Sequence, residues 1–464
     1  KKMKVEQLYT GCLSEAAYYI ESEGEIAIID PLRETEPYTE LAKKSNAKIK
    51  YIFETHFHAD FVSGHVDLAK KTGATIVYGP TAETGYDSHI ATDGEIFHVG
   101  KAKIKVLHTP GHTPESSTYL LYDEDGKEYA IFSGDTVFIG DVGRPDLAIS
   151  SDLTEKDLAG MLYDSIWNKI MPLPDHVLVY PAHGAGSLCG KNMSNDTFST
   201  LGEQRKTNYA LQEMSKEDFV KEVTTGIPAA PQYFPKNAAI NKGGYSDIDE
   251  VMAKGSVALN ADKFDELRSG GILVLDGRDR NEFAADHIPG SLNISLDGSF
   301  AVWVGTLIED LSAPILVVAP SGREEEMVLR LARVGYDNCA GYLKGGIATW
   351  KEAGKETGQV RTIQADELKA VQENGSLIYD VRKCSEYDAG HVVGVENLPL
   401  NNISVWKEQL GNKEQEIFLH CRSGYRSMSA ASILKAAGFN NIVNVEGGFD
   451  AISKTSIPME IPVP

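Results

Sequence analysis

Apolar residues in roughly the first 225 positions come in short runs, broken by turns and by stretches with helical spacing. Residues 25–29, 49–53, 104–107, 129–132 and 177–180 are such runs, rich in β-branched and aromatic side chains, and predict strands. Residues 226–235 (GIPAAPQYFP) are proline-rich and aperiodic, which predicts a linker. Beyond it the pattern repeats. ILVLDGRDRNEFAADHIPGSLNISL returns as LIYDVRKCSEYDAGHVVGVENLPL, so that Asp276, His287 and Gly290 recur as Asp380, His391 and Gly394, each 104 positions on. YLKGGIATW around Gly345 returns 102 positions on as VEGGFDAI around Gly447. The pattern predicts three α/β domains over residues 1–245, 246–357 and 358–464, which the length of 464 also suits. No apolar stretch approaches the ~18 residues of a membrane-spanning helix; runs such as Ile315–Val318 are strand-sized.

Composition narrows the function. Hydrophobic residues at 42% and charged residues at 24% suit ordinary globular cores. The 45 Lys+Arg against 67 Asp+Glu give −22 at pH 7, a field that repels nucleic acid and anionic membrane. A small anionic substrate in a local basic pocket remains compatible with it. Five cysteines, an odd number without close pairs, predict free thiols in a reducing compartment. The start KKMKVEQLYTGC has no apolar run behind it, so no secretory signal is expected. The expectation is a cytoplasmic protein; a homo-oligomer is a base-rate expectation only.

Ligand-type side chains stand just past several predicted strands. His56, His58 and Asp60 lie in THFHAD, His112 in HTPGHT, Asp135 in FSGD and His183 in YPAHG. Residues at strand ends, held by short glycine-containing turns, can converge on one edge of a sheet and form a rigid metal site. The alternative is a set of separate surface and core histidines.

These motifs, in this order and spacing, resemble the metallo-β-lactamase fold over nearly all of residues 4–215. Within it ETHFHADFVSGH, GDVGRPDL and YPAHGAGSLCGK are most similar to persulfide dioxygenases. Two-metal members such as glyoxalase II carry a His directly after the motif Asp. Here that position is Phe61, so the second metal site, reduced to Asp60, His183 and a shared Asp135, is expected empty. His65, one helical turn on, is the one candidate substitute. His56, His112 and Asp135 then make a 2-His-1-carboxylate set, which suits a single non-haem Fe(II) and O2. Zinc accepts the same ligands but offers no redox step. The resemblance implies these three ligands, with His58, Asp60 and His183 orienting them, and a thiol persulfide oxidised to sulfite. Arg144, Ser187, Lys191 and Arg205 are candidates for holding the anionic thiol carrier, with ordinary surface ion pairs as the alternative for the basic ones. Cys189 stands beside the substrate or is a buried structural thiol.

In the last repeat IFLHCRSGYRS reads as strand, short loop and helix, with Cys421 at the strand end. Loop amides and the helix dipole stabilise a thiolate or persulfide there, and Arg422 and Arg426 add positive charge. The segment resembles a rhodanese sulfurtransferase, with Asp380, Arg382, Glu386 and His391 in the matching upstream block. In the first copy Ala319 stands opposite Cys421 and Glu324 opposite Arg426, which predicts a rhodanese-like domain without activity. Cys339 and Cys384 match no catalytic position.

The sequence therefore predicts a metallo-β-lactamase αββα sandwich followed by two rhodanese-like α/β domains. The expected function is persulfide oxidation coupled to sulfur transfer through Cys421, with thiosulfate formed or used. A glyoxalase II-like zinc thioester hydrolase is the alternative, and Phe61 argues against it because the hydroxide bridging two metals would be lost.

Overall fold

The computed structural model describes residues 2–463. One six-stranded sheet holds β1 (Lys4–Thr10), β2 (Glu15–Ser22), β3 (Glu25–Ile29), β4 (Lys48–Phe53), β5 (Thr75–Tyr78) and β6 (His89–Ile90), in chain order. The second holds β7 (Ile96–Val99), β8 (Ala102–His108), β9 (Ser117–Tyr122), β10 (Glu128–Gly134), β11 (Leu178–Pro181) and β12 (Ser199–Thr200), also in order. The five runs expected as strands fall within or beside β3, β4, β8, β10 and β11.

Side-chain alternation makes this a four-layer sandwich. Tyr18, Ile20, Ala27, Ile29 and Phe53 of the first sheet meet Ile104, Val106, Tyr119, Leu121 and Phe132 of the second. The opposite face of the first sheet, with Tyr19, Ile26 and Ile28, is covered by Tyr38 and Ala42 of the helix Glu36–Ser45 and by Leu68 of His65–Thr72. Leu120, Ile131 and Val179 of the second sheet are covered by Ala159 and Leu162 of Glu155–Ser165 and by Phe219 and Val223 of Lys216–Thr224. Successive residues of a strand point to opposite faces, so each sheet buries both. The proline-rich segment leads into a helix, Phe234–Gly243, with Pro235 in its first turn.

Residues 249–331 and 336–464 pack as one compact unit with two five-stranded sheets. In the first, parallel strands Leu273–Asp276 and Ile315–Val318 lie side by side, flanked by Cys339–Leu343 and Leu292–Asn293. In the second, Leu377–Asp380 and Ile417–His420 occupy the matching positions. Asp276 pairs with Val318 as Asp380 pairs with His420, so Ala319 leaves its strand where Cys421 leaves its own. Among the described residues no helix is long and apolar enough to cross a membrane.

Candidate metal and sulfur-transfer sites

Sheet direction brings the ligand-type residues together. β8 and β10 both run antiparallel to β9, and β11 runs parallel to β10, so their C-terminal ends share one edge. His112 follows β8, Asp135 follows β10 and His183 follows β11, while THFHAD follows β4 of the facing sheet.

His56 Nε2 and His112 Nε2 stand 3.5 and 3.2 Å from Asp135 Oδ2, all three residues at most 2% exposed. Neighbouring hydrogen bonds fix both tautomers. The Arg144 carbonyl can only accept, so at 2.8 Å it takes the proton from His112 Nδ1. Thr55 Oγ1 donates to Asp30 Oδ2 at 2.8 Å, so it accepts from His56 Nδ1 at 2.9 Å. Each Nε2 lone pair then faces Asp135 Oδ2, an oxygen that accepts no hydrogen bond. Three buried lone pairs converging without a proton between them repel one another, and a bound cation removes that conflict. Burial and the neighbouring His58 hold His56 below its ordinary pKa, in the neutral form a metal requires. Burial alone would raise Asp135, yet His183, His56 and His112 keep its carboxyl well below the usual range.

His58, Asp60 and His183 form an adjoining buried group. His183 Nδ1 lies 2.7 Å from Asp135 Oδ1 and its Nε2 2.8 Å from Asp60 Oδ2. Burial opposes charge on His183, but Asp135 and Asp60 outweigh it and raise its pKa well above the ordinary value. His58 Nε2 is 3.0 Å from Asp30 Oδ1 and 3.4 Å from Glu54 Oε2, and these carboxylates likewise outweigh burial and favour its charged form. A charged imidazole has no lone pair to give. Phe61, fully buried, sets its ring 4.6 Å from that of His58. His65 joins neither group: its Nε2 is 2.7 Å from the Tyr86 hydroxyl and its Nδ1 3.3 Å from Glu54 Oε1.

The polar groups of the substrate-binding candidates bond largely within the protein itself. The Arg144 guanidinium is buried, bonded to Asp146 at 2.7 and 2.8 Å and to the carbonyls of Leu188 and Pro228. It ties GRPD to GSLCGK. Gly143 beside it has no room for a side chain, because a Cβ would meet the Asp135 carbonyl at 1.9 Å and His112 Nδ1 at 2.9 Å. Lys191 Nζ donates to the carbonyls of Glu222 and Thr225. Arg205 pairs with Asp175 at 2.8 Å and with the carbonyls of Met171 and Leu173, which precede β11, at the end opposite His183. Ser187 Oγ accepts from the Cys189 amide at 3.1 Å. Only Cys189 offers an atom to the metal-site group, beside Asp135 and His183, and burial followed by Asp60 and Asp135 pushes its thiol well up.

Sequence reading missed four residues that shape this site. Asp30 takes the Thr55 amide and hydroxyl and faces His58. Glu54 lies between His58 and His65, and burial pushes its carboxyl up to about 8. Glu15 is fully buried with neither oxygen hydrogen-bonded, on a bridge to His183. Asn241, on the helix behind the linker, donates to the carbonyls of His58 and Phe61 and accepts from the Ser63 amide, each at 2.8 Å. Asp30 shares the strand-end signal used for the ligands; Asn241 has none.

In the last domain Cys421 is 1% exposed, and its Sγ accepts from the Gly424 amide at 3.1 Å and from Ser427 Oγ at 3.4 Å. The expected positive charge is largely offset. Arg426 makes a two-pronged pair with Glu386 at 2.7 and 2.9 Å, and the exposed Arg422 reaches Asp450 at 3.3 Å. A cavity of 240 Å³ beside this loop is lined by Arg382, Glu386, Arg422, Phe449 and Asp450. All five cysteines are free thiols.

Family models match in the same places. The metallo-beta-lactamase superfamily matches residues 10–183, and the rhodanese-like domain matches 260–353 and 364–455. The chain is 33% identical over 199 residues, 42% of itself and 70% of the relative, to "Persulfide dioxygenase ETHE1, mitochondrial" of Homo sapiens. It is also 32% identical over 207 residues, 43% of itself and 71% of the relative, to "Probable hydroxyacylglutathione hydrolase glo2" of Schizosaccharomyces pombe. A crystal structure titled metallo-beta-lactamase from Staphylococcus aureus subsp. aureus COL aligns with TM-score 0.65 and 32% identity, over 74% of this chain and 98% of that one. The chain belongs to the metallo-β-lactamase superfamily, with persulfide dioxygenases among its relatives, and joins that fold to two rhodanese-like domains.

Proposed function

We propose that the chain oxidises a low-molecular-weight thiol persulfide to sulfite with O2 and, through Cys421, transfers sulfane sulfur to form or use thiosulfate. The oxidation belongs to residues 1–245, the transfer to 358–464, and residues 246–357 lack the nucleophile. One Fe(II) per chain would be held by His56, His112 and Asp135. The observation that carries this reading is the contrast between the two adjoining groups. In the first, two neutral imidazoles and an unpartnered carboxylate oxygen converge. In the second, His58 and His183 are held charged by carboxylates and Phe61 stands where two-metal relatives have a ligand.

Held by His56, His112 and Asp135, an iron(II) ion would supply redox chemistry for persulfide oxidation by O2. The balance is persulfide, O2 and water giving thiol, sulfite and two protons. His183, between Asp135 and Asp60, holds the Asp135 carboxylate in orientation and, in its charged form, is placed to donate a proton. Buried Phe61 and Cys189 limit water around the group. In the last domain the Cys421 sulfur attacks the outer sulfur of thiosulfate or of a persulfide. The S–S bond breaks with its electron pair leaving on sulfite or thiolate, and the new Cys421 persulfide rests among the loop amides. Free cysteines throughout support a reducing compartment, and we place the protein in the cytoplasm.

One observation favours zinc thioester hydrolysis: His58 Nδ1 and Asp60 Oδ1 also lack hydrogen-bond partners. Metal analysis separates the two readings. Protein produced with iron supplied should carry about one iron per chain; two zinc ions per chain would reject the mononuclear site.

A further inference from the structure

Arg280 belongs to the rhodanese-like domain that lacks a loop cysteine, yet its guanidinium lies against the Cys421 loop. It opens the helix Arg280–Ala285 and pairs in two-pronged fashion with Glu446, which ends the strand Ile442–Glu446. The contacts are Nη2 to Oε1 at 2.6 Å and Nε to Oε2 at 3.2 Å. A Cβ added to Gly424 would meet Arg280 Nε at 2.9 Å and Glu446 Oε2 at 3.3 Å. Gly424, with φ +111°, is the residue whose amide reaches Cys421 Sγ at 3.1 Å. The ion pair therefore lies beside the backbone that holds the sulfur, in the space a side chain at Gly424 would need.

The helix that follows is docked on the same domain. In Tyr425–Ala436 the Tyr425 hydroxyl donates to the Ser295 carbonyl at 2.7 Å and Ser429 Oγ to the Asn293 carbonyl at 2.6 Å. Ser432 Oγ accepts from the Asn293 amide at 3.0 Å. Small Ser and Ala side chains on this helix allow the close approach, while Met428 and Leu434 are buried as well. Arg280 and Glu446 stay 24% and 21% exposed, within reach of solvent and small anions. The Glu446 hydrogen bonds, followed by the Glu446 and Asp279 charges, outweigh burial and hold the Arg280 pKa above its ordinary value.

We propose that the cysteine-free domain is a working part of the Cys421 site: Arg280, paired with Glu446, is a positioning residue that fixes the Gly424 amide on the sulfur and sets the charge an arriving sulfur anion meets. This rests on the reading that Cys421 transfers sulfur. Removing Arg280 leaves the Glu446 carboxylate uncompensated beside the loop and disfavours a sulfur anion. Removing the charge of Glu446 leaves the cation uncompensated and favours one. A purely structural contact predicts damage of the same sign from both changes.

The test uses the full chain and follows alkylation of the Cys421-containing peptide by iodoacetamide against pH, with thiosulfate:thiol transfer assayed in parallel. Arg280→Ala should raise the alkylation midpoint by about half a pH unit, and Glu446→Gln should lower it by about as much. Arg280→Lys, which keeps the charge and is the less disruptive change, should fall between Arg280→Ala and the parent. Shifts of one sign in Arg280→Ala and Glu446→Gln, or no shift in either, would overturn the positioning role. Absence of sulfur transfer in the parent protein would overturn the functional reading alone, because alkylation needs no turnover.

Discussion

The backbone carbonyl of Arg144 accepts the Nδ1 proton of His112 at 2.8 Å, and so orients an imidazole of the metal-site group. Gly143 makes that approach possible, since any Cβ there would strike the Asp135 carbonyl and the imidazole. Gly143→Ala should weaken iron binding by about 10–100-fold, the usual cost of disturbing a ligand's supporting hydrogen bond. Metal titration of the apoprotein checks this, and parental affinity would show that the turn does not orient the ligand.

The two chemistries should separate by mutation. Asp135→Ala removes the carboxylate whose Oδ2 is unpartnered and should abolish persulfide-dependent oxygen uptake, leaving thiosulfate:thiol transfer within about twofold. Cys421→Ser should do the converse, because a hydroxyl cannot carry a persulfide. Transfer that persists in that variant would point to another thiol, with buried Cys189 first to be tested.

Asn241 holds the loop between His58 and Ser63 through three hydrogen bonds of 2.8 Å. Asn241→Leu strands two carbonyls and an amide in a buried setting and should cost about 2–4 kcal/mol. A lowered thermal midpoint together with weakened iron retention is the expected pair of results; an unchanged midpoint would show that the loop holds itself.

Burial lowers the His65 pKa from 6.5 to about 3, so the folded protein keeps this imidazole neutral. On acidification the unfolded chain takes up the proton first. Stability is therefore complete above about pH 6.5 and falls as pH drops towards 3. At pH 5 the loss from this group is about 2 kcal/mol. His65→Gln, which does not titrate, should flatten the acid limb of a thermal-midpoint profile; an identical acid limb would assign it to other groups.

Much of this was legible in the sequence because it rests on local rules. Strand-end motifs with tight turns imply convergence at one sheet edge, and His56, His112 and Asp135 do converge. The repeat put Ala319 opposite Cys421, and the two strand registers agree. What escaped depends on contacts between distant segments. Arg144, Lys191 and Arg205 look like free cations in sequence, but each finds backbone carbonyls far along the chain. β2 was missed because EAAYYIES does not alternate, and its residues are buried on both faces. Asn241 bonds to residues some 180 positions away, a distance no local pattern records.

The central claim is tested most directly by oxygen consumption of the iron-loaded full chain, measured against a small panel of thiol persulfides with sulfite and thiosulfate quantified together. The account predicts one O2 consumed per persulfide, with sulfite appearing in Cys421→Ser and thiosulfate accumulating only when Cys421 is present. Persulfide-independent or absent oxygen uptake, with thioester hydrolysis in its place, would contradict it.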